Sequence, residues 1–342
     1  MTDTTGLFEM ALPPKEAGGT GQPAGRVDER NRYKIPNPDT GKPARWTRAT
    51  TFAKAISDTE GLERWAKRHV AMGLAERPDL LARVGRLTLE NRRQLDGITR
   101  DAMTAAGAWK KAGYGTTFHA QTEKVDLGEL DPFAAGPPWG AMLRAYVEIL
   151  NQYGVKILPE YVEQTVVVPQ YMVAGTFDRI VQMPSGELWI ADLKTGRDLS
   201  WSMGEIAIQL ALYAHAPKIY DFETGEFRDM PEVSQSQALV IHAPVEGDFV
   251  ALERVNIEVG WEAAELCHAV RNWRRFRGLA EQVGKVPIGD DAPDLPRKWV
   301  SRIAAATTVP ELSKIWEEAT RAGEWTEALE DLGHQRGAEI RG

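Results

Sequence analysis

The chain has 342 residues, of which 43% are hydrophobic and 26% are charged, a composition typical of a soluble globular protein with one large core. The formal net charge of -8 argues against a protein that coats nucleic acid without specificity, although an acidic enzyme can still carry a local basic groove. The sequence has no apolar run approaching the ~20 residues that cross a bilayer and no signal-peptide pattern at its start. We therefore expect a cytoplasmic protein that does not enter the membrane.

Cysteine usage restricts the metal chemistry that is open to the chain. Cys267 is the single cysteine, which excludes an intrachain disulfide, a thiolate zinc site and an iron–sulfur cluster held by four cysteines. Any bound metal ion must therefore use oxygen or imidazole ligands.

The N-terminal part is predicted to change from irregular to helical structure. Residues 11–45 are dense in proline and glycine, so residues 1–45 are predicted to form a flexible leader or an extended arm on the surface. From Thr50 to about Glu123, apolar residues recur at steps of three and four, which predicts several helices before any strand. A further helix is predicted over residues 139–153.

The sequence that follows predicts a small sheet interrupted by helices. Three strands, a helix, two strands and a long helix are predicted, in this order, at residues 162–168, 171–181, 188–194, 203–216, 238–244, 249–257 and 260–282. This order of elements indicates an α/β or α+β core.

The domain organisation follows from these elements. We predict one main domain over residues 46–288, which includes the N-terminal helices, and a turn-rich acidic linker at residues 289–296. Residues 297–342 have no strand pattern and are predicted to form a small helical appendage. Its most direct core is made of the three tryptophans Trp299, Trp316 and Trp325.

Ionisable residues interrupt the predicted hairpin of residues 171–194. Side chains alternate along a strand, so Asp192 and Lys194 share one face while Leu193 points to the other. If the hairpin turns at residues 184–186, Asp178 lies at a similar distance from the turn and approaches Asp192. Two close carboxylates favour a hard divalent cation, either Mg²⁺ or Mn²⁺. The alternative is a surface ion pair worth about 0–1 kcal/mol.

Four short motifs around this hairpin occur in a characteristic order: GTTFH at 115–119, GTFDRI at 175–180, ADLKTG at 191–196 and QLALYA at 209–214. Together they resemble the PD-(D/E)xK nuclease superfamily, in particular its RecB-like branch of phage and bacterial exonucleases. The resemblance implies a restriction-endonuclease-like core, in which a small mixed central sheet is flanked by helices.

The resemblance also implies a metal site. Its ligands would be His119, Asp178, Asp192 and the backbone carbonyl of Leu193, with Lys194 as the active-site lysine. The residues alone lead to Asp178, Asp192 and Lys194 but not to His119, which without its motif reads as a polar residue on a helix surface.

Several neighbouring residues are open to more than one interpretation. Gln209 and Tyr213 are four residues apart on one predicted helix face, beside the active site according to the resemblance, or else part of the core. Glu123 follows His119 by one helical turn and is equally a ligand-supporting carboxylate or a solvated side chain. For Glu163 we favour a structural or exposed role, because no strand register is fixed. Arg179 could pair with Asp178 or contact a phosphate, and its position on the other side of the strand disfavours the pairing.

Two basic clusters are candidates for contacts with nucleic acid. One consists of the arginines between residues 83 and 100, and the other lies at residues 271–278 with Trp273 and Phe276 available for stacking on bases. A solvated helix face is an equally good interpretation of either cluster.

The function implied by the resemblance is a magnesium-dependent DNA exonuclease of phage-type recombination or DNA repair. A single-strand annealing protein as partner, and a phage origin that would place the protein in the host cytoplasm, rest on the resemblance alone. A homo-oligomer that encircles DNA is compatible with it. The alternatives are an endonuclease of the same fold, a nuclease acting on RNA, and a non-catalytic nucleic-acid-binding module. An iron–sulfur nuclease of the superfamily is disfavoured, because four cysteines are needed for the cluster.

Overall fold

A computed structural model of the chain describes residues 26–283 and 295–341. Contacts divide the chain into two compact units, with the boundary between Phe276 and Arg277. Within the described ranges, no helix combines the length and the apolar character that a membrane span requires.

Helices make up most of the N-terminal part and all the regular structure of the described residues of the second unit. The described α-helices are α1 (Ala49–Ala53), α2 (Glu60–Glu76), α3 (Pro78–Val84), α4 (Arg92–Ala105), α5 (Lys110–Asp126), α6 (Gly140–Gln152), α7 (Met203–Ala214), α8 (Ile257–Arg275), α9 (Arg297–Ala305), α10 (Val309–Arg321) and α11 (Glu327–Arg341).

Strands are confined to the first unit within the described residues. They are β1 (Tyr33–Pro36), β2 (Pro43–Arg48), β3 (Lys156–Ile157), β4 (Gln164–Val168), β5 (Val173–Phe177), β6 (Arg179–Gln182), β7 (Leu188–Lys194), β8 (Lys218–Tyr220), β9 (Phe227–Asp229), β10 (Gln237–His242) and β11 (Ala251–Asn256).

These strands form two mixed sheets, which confirms the predicted α/β fold and is consistent with a restriction-endonuclease-like core. The six-stranded sheet has the order β1-β2-β5-β4-β8-β9, and the five-stranded sheet has the order β11-β10-β7-β6-β3. Consecutive strands β5 and β6 belong to different sheets, and Asp178 is the residue between them. The predicted single strand over residues 171–181 is therefore two strands.

The five-stranded sheet has a hydrophobic core on each face. Ile180 and Ile190 pack with α7 and α8 on one face, while Ala191 and Leu193 pack with α5 and α6 on the other. Because strand side chains alternate, the carboxylate of Asp192 faces the same side as Ile190. The sheet thereby directs the polar residues of β7 towards α7.

The N-terminal strands correct the prediction that a flexible leader or an extended surface arm continues to residue 45. β1 and β2 form a hairpin in which Pro36 pairs with Pro43 at the end next to the turn. Proline is tolerated there because β1 is an edge strand and a missing N–H interrupts little of the ladder. Tyr33 and Trp46 are almost fully buried, and this burial stabilises the hairpin. The rest of the predicted leader, residues 1–25, lies outside the described residues.

The second unit has its own core. Helices α9, α10 and α11 pack around Trp299, Ile303 and Ile315, with Trp325 against them. Trp316 is 48% exposed, so the prediction that it joins this core is wrong. Most of the predicted linker, residues 289–294, falls outside the described part of the chain.

Candidate active site

The hairpin of β6 and β7 forms as predicted. Its antiparallel register pairs Gln182 with Leu188 and Arg179 with Ala191, and the turn contains Gly186 with a φ of 88°, a conformation that glycine adopts without strain. Extending this register by one residue sets Asp178 opposite Asp192. Local turn chemistry therefore brings the two carboxylates together.

Asp178 is buried and receives two contacts from different elements. The backbone N–H of Leu193 donates a hydrogen bond to Oδ2 at 2.8 Å, and Nδ1 of His119 on α5 lies 3.3 Å from the same oxygen. Burial alone would raise the pKa of Asp178, but interaction with His119, reinforced by Arg179, holds it below its usual range. Asp178 is thus kept as a carboxylate.

Asp192 and Lys194 form an ion pair inside the protein. Nζ of Lys194 is 2.5 Å from Oδ2 of Asp192, and the two side chains are 14% and 2% exposed. Burial raises the pKa of Asp192 to about 6, the charge of Asp178 adds to this rise, and Lys194 opposes it. The pair is therefore not the exposed surface pair that was the alternative interpretation.

Helix α7 covers Asp192 with two polar side chains. Nε2 of Gln209 donates to the hydroxyl of Tyr213 at 3.1 Å and lies 3.5 Å from Oδ1 of Asp192. Tyr213 packs so closely on Gly175 of β5 that a Cβ there would lie 2.5 Å from the Tyr213 ring. The close packing of the Tyr213 ring explains why GTFDRI has a glycine at position 175. Both Gln209 and Tyr213 lie beside the carboxylate pair.

Glu163, for which the sequence favoured a structural or exposed role, is not exposed and joins the acidic cluster. Its N–H donates to the carbonyl of Asp178 at 2.8 Å, and its φ is 52°. Burial, followed by the charges of Asp178 and Glu123, raises the pKa of Glu163 to about 9. The antiparallel register of β4 and β5, which pairs Gln164 with Phe177, accounts for the approach of Glu163 to Asp178.

Glu123 occupies the α5 face that turns towards the cluster. The side chain is half-buried, and burial raises its pKa, with Asp178 adding to the rise and Arg179 opposing it. The solvated alternative is therefore disfavoured.

A buried charge network beneath the cluster was not found from the sequence. Nε of Arg179 lies 3.1 Å from Oδ2 of Asp126, and the hydroxyl of Tyr146 on α6 donates to Oδ1 at 2.7 Å. Although burial disfavours its charge, the nearby oxygens of Tyr146 and Asp126 raise the pKa of Arg179. The available signal was the spacing of His119, Glu123 and Asp126, which places them on one helix face.

Part of the second basic cluster is bound to its own chain. Arg271 donates to Oγ1 of Thr47 at 3.0 Å, and Arg274 donates to the carbonyl of Ala55 at 3.1 Å. Trp273 is 64% exposed. The two arginines therefore have a structural role, while the tryptophan stays accessible to a partner.

The carboxylate oxygens of Asp178 and Asp192 and the imidazole of His119 are chemically suited to bind a hard divalent cation. Within residues 26–283 and 295–341, no three His, Cys, Asp or Glu side chains form a ready-made metal-binding group. Two buried carboxylates nevertheless converge, Nδ1 of His119 is buried without hydrogen-bond geometry to any partner, and Oδ2 of Asp192 contacts Lys194 without such geometry. Oxygen and imidazole donors with unused bonding capacity are what Mg²⁺ or Mn²⁺ requires.

Comparison with known proteins agrees with this chemistry. No curated protein matches the chain. A sequence model of the PD-(D/E)XK nuclease superfamily matches residues 79–219, a range that contains all the cluster residues named above from His119 to Tyr213. Nucleases of that superfamily generally use divalent metals such as Mg²⁺. Over this range the chain is similar to the PD-(D/E)XK nucleases, and the match suggests metal-dependent nuclease activity.

Proposed function

We propose that the protein is a magnesium-dependent exonuclease that hydrolyses phosphodiester bonds in DNA. The observation that carries the proposal is the convergence of Asp178, Asp192 and Lys194, all largely buried, on a hairpin inside the matched range. Stability alone does not explain this arrangement, because two aspartates and a lysine held together in a protein interior are costly to desolvate even when they pair.

The proposed ligands are Asp178, Asp192, His119 and the backbone carbonyl of Leu193. A bound Mg²⁺ would neutralise charge on the phosphate and lower the pKa of a water molecule. Around it, the N–H of Leu193 fixes the orientation of the Asp178 carboxylate through its 2.8 Å hydrogen bond. The preorganisation of this carboxylate supports its assignment as a ligand.

Lys194 is proposed to act on the water and the phosphate. Its ammonium group lies 2.5 Å from Asp192, so a phosphate at the carboxylate pair would be within reach of the same charge. Lys194 would orient the attacking water and offset negative charge on the scissile phosphate. Gln209 would hold Asp192 at its other oxygen, and Tyr213 would hold Gln209.

The finer parts of the proposal rest on the resemblance of the four motifs to RecB-like exonucleases. They are the attack at DNA ends, a role in phage-type recombination or DNA repair in the cytoplasm, a single-strand annealing partner and a homo-oligomeric state. We assign the activity to a domain over residues 46–288 and treat residues 297–342 as an appendage.

The test compares end-labelled linear DNA with closed circular DNA, with and without Mg²⁺. We expect mononucleotides from one end of the linear DNA and no cleavage of the circles. Cleavage of closed circles would overturn the exonuclease assignment, and no Mg²⁺-dependent cleavage of any DNA would overturn the nuclease assignment.

Lys194→Ala tests the mechanism against a matched control. Lys218 also pairs with an aspartate from a strand, but at the surface, where the two side chains are 40% and 84% exposed. We expect Lys194→Ala to lower kcat by about 10²–10³-fold, the range seen when one transition-state donor is removed. Lys218→Ala should retain full activity. Full activity in Lys194→Ala would contradict the assigned mechanism.

A further inference from the structure

A cleft with aromatic walls lies where α5 and the start of α6 face the segment that follows β10. It has a volume of about 530 Å³, and its lining includes Lys110, Tyr114, Trp139 and Val245. This volume is within the ~300–1,000 Å³ typical of small-molecule sites. Nothing in the roles assigned to the carboxylates and Lys194 uses this cleft.

The two sides of the cleft meet at the residue that follows Lys194. Gly115, next to Tyr114 on α5, packs so closely on Thr195 that a Cβ there would clash with its Oγ1. On the other side, the N–H of Val245 donates to the carbonyl of Thr195 at 3.2 Å. Both sides of the cleft are therefore tied to Thr195, the residue that follows Lys194 at the end of β7.

The aromatic wall is held in place from behind. The rings of Tyr114 and Trp139 meet edge to face with centroids 5.7 Å apart, and Trp139 also contacts Phe118, 5.8 Å away, which is fully buried. Tyr114 is itself 51% exposed. A fixed ring with accessible surface is suited to stacking on another planar group.

The cleft lining includes one cation, Lys110, and one carboxylate, Glu246, and the position of the cation beside Tyr114 indicates which planar group the ring binds. Lys110 precedes Tyr114 by one helical turn, lies on the same face of α5 and is exposed. An aromatic ring next to a cation is the pattern by which proteins bind single-stranded nucleic acid, the ring stacking on a base and the cation contacting the backbone. The carboxylate site, at the other side of Thr195, is the one proposed above for phosphodiester hydrolysis.

We propose that this cleft binds the base of a nucleotide next to the scissile phosphate, stacked on Tyr114. The inference rests on the proposed nuclease function and adds a substrate class to it. A base enters a cleft only when it is unpaired. The preferred substrate is therefore single-stranded DNA or a duplex with an unpaired end.

Binding of a labelled single-stranded oligonucleotide, measured by fluorescence anisotropy without metal, tests the cleft independently of catalysis. Tyr114→Ala is expected to weaken binding about 5- to 150-fold, which corresponds to one stacked base at about 1–3 kcal/mol. Tyr114→Phe keeps the ring and should bind like the wild type. Tyr153→Ala is the matched control, because Tyr153 is 57% exposed and lies at the end of α6, outside the cleft lining.

Oligonucleotides with one abasic position identify the stacked base. We expect that at one position the loss of the base weakens wild-type binding and leaves Tyr114→Ala unaffected. Equal binding by wild type and Tyr114→Ala overturns the proposal. It is also overturned if Tyr114→Ala weakens binding by the same factor for the intact strand and for every abasic strand. Tyr114-dependent binding without cleavage would remove the nuclease function and retain the cleft, whereas cleavage without Tyr114 dependence would remove the cleft alone.

Discussion

The ion pair between Arg179 and Asp126 is expected to be a major determinant of stability. Its side chains are only 1% and 2% exposed, and it joins β6 to α5. Arg179→Met removes the charge, keeps most of the side-chain length and leaves Asp126 in the interior with only the Tyr146 hydroxyl as partner. The perturbation is therefore an uncompensated buried carboxylate.

The expected loss in the free energy of unfolding is about 3–4 kcal/mol at pH 7. Removing one partner of a buried pair costs about 3–5 kcal/mol. Asp126 can limit this cost by taking up a proton, which at pH 7 requires about 4 kcal/mol for a carboxyl with an ordinary pKa. The pair of Arg64 and Glu60, 63% and 68% exposed, provides the comparison, because such surface pairs contribute about 0–1 kcal/mol.

Urea unfolding of wild type, Arg179→Met and Arg64→Met at pH 5 and pH 8 measures this effect. Burial already raises the pKa of Asp126 above its ordinary value, with Arg179 opposing the rise. Without Arg179 the folded-state pKa rises further, so the variant loses stability as the pH increases above the unfolded pKa. We expect a larger loss at pH 8 than at pH 5.

Two outcomes would refute the reasoning about this pair. One is a loss no larger than that of Arg64→Met, and the other is a loss that does not change with pH. The double variant Arg179→Met with Asp126→Leu is expected to recover part of the stability, because a hydrophobic pair often replaces a buried ion pair without cost.

Three further predictions concern the carboxylate cluster. The pKa of Glu163 is about 9 in the folded protein against 4.5 ordinarily, so the metal-free protein should lose stability as pH rises between these values. Glu163→Gln should reduce this slope in urea titrations, most clearly above pH 6, because Asp192, with a pKa of about 6, contributes to the slope at lower pH. Gly175→Ala brings a Cβ to 2.5 Å from the Tyr213 ring, and thermal unfolding should show a loss of about 1–3 kcal/mol; an unchanged Tm would contradict the packing argument. Mg²⁺ at 100 times its Kd should stabilise the wild type by about 2.7 kcal/mol, and an equal shift in Asp178→Ala with Asp192→Ala would remove the proposed metal site.

Local sequence was sufficient for the hairpin that carries the candidate site. The predicted strand over residues 188–194 has the same ends as β7, since its apolar run is bounded by a turn with Pro184 and Gly186 and by Gly196. The alternation of side chains then assigned Asp192 and Lys194 to one face. Both inferences depend on residues close in sequence, where propensity and periodicity are most informative.

The positions of residues that depend on partners distant in sequence could not be predicted from local propensity and periodicity. The hairpin of β1 and β2 contains prolines that suggested a flexible leader or an extended arm. It is held by the packing of Tyr33 and Trp46 on Val167 of β4 and Ala174 of β5, which are strands of the same sheet. Strands β8 and β9 have three residues each, too few for a periodic pattern. The approach of Glu163 to Asp178 requires the register of β4 on β5, which turn chemistry does not determine because residues 169–171 form a 3-10 turn between them.

The position of Asp178 connects the fold to the proposed chemistry. In one continuous strand, the carboxylate of Asp178 would be confined to one face of one sheet. It could not then contact groups that lie on both faces. Because β5 and β6 belong to different sheets, the chain bends at Asp178, and the carboxylate is reached by His119 from α5 and by the N–H of Leu193 from β7. The break that the strand pattern did not predict is therefore what allows residues of the motifs GTTFH, GTFDRI and ADLKTG to meet at one carboxylate.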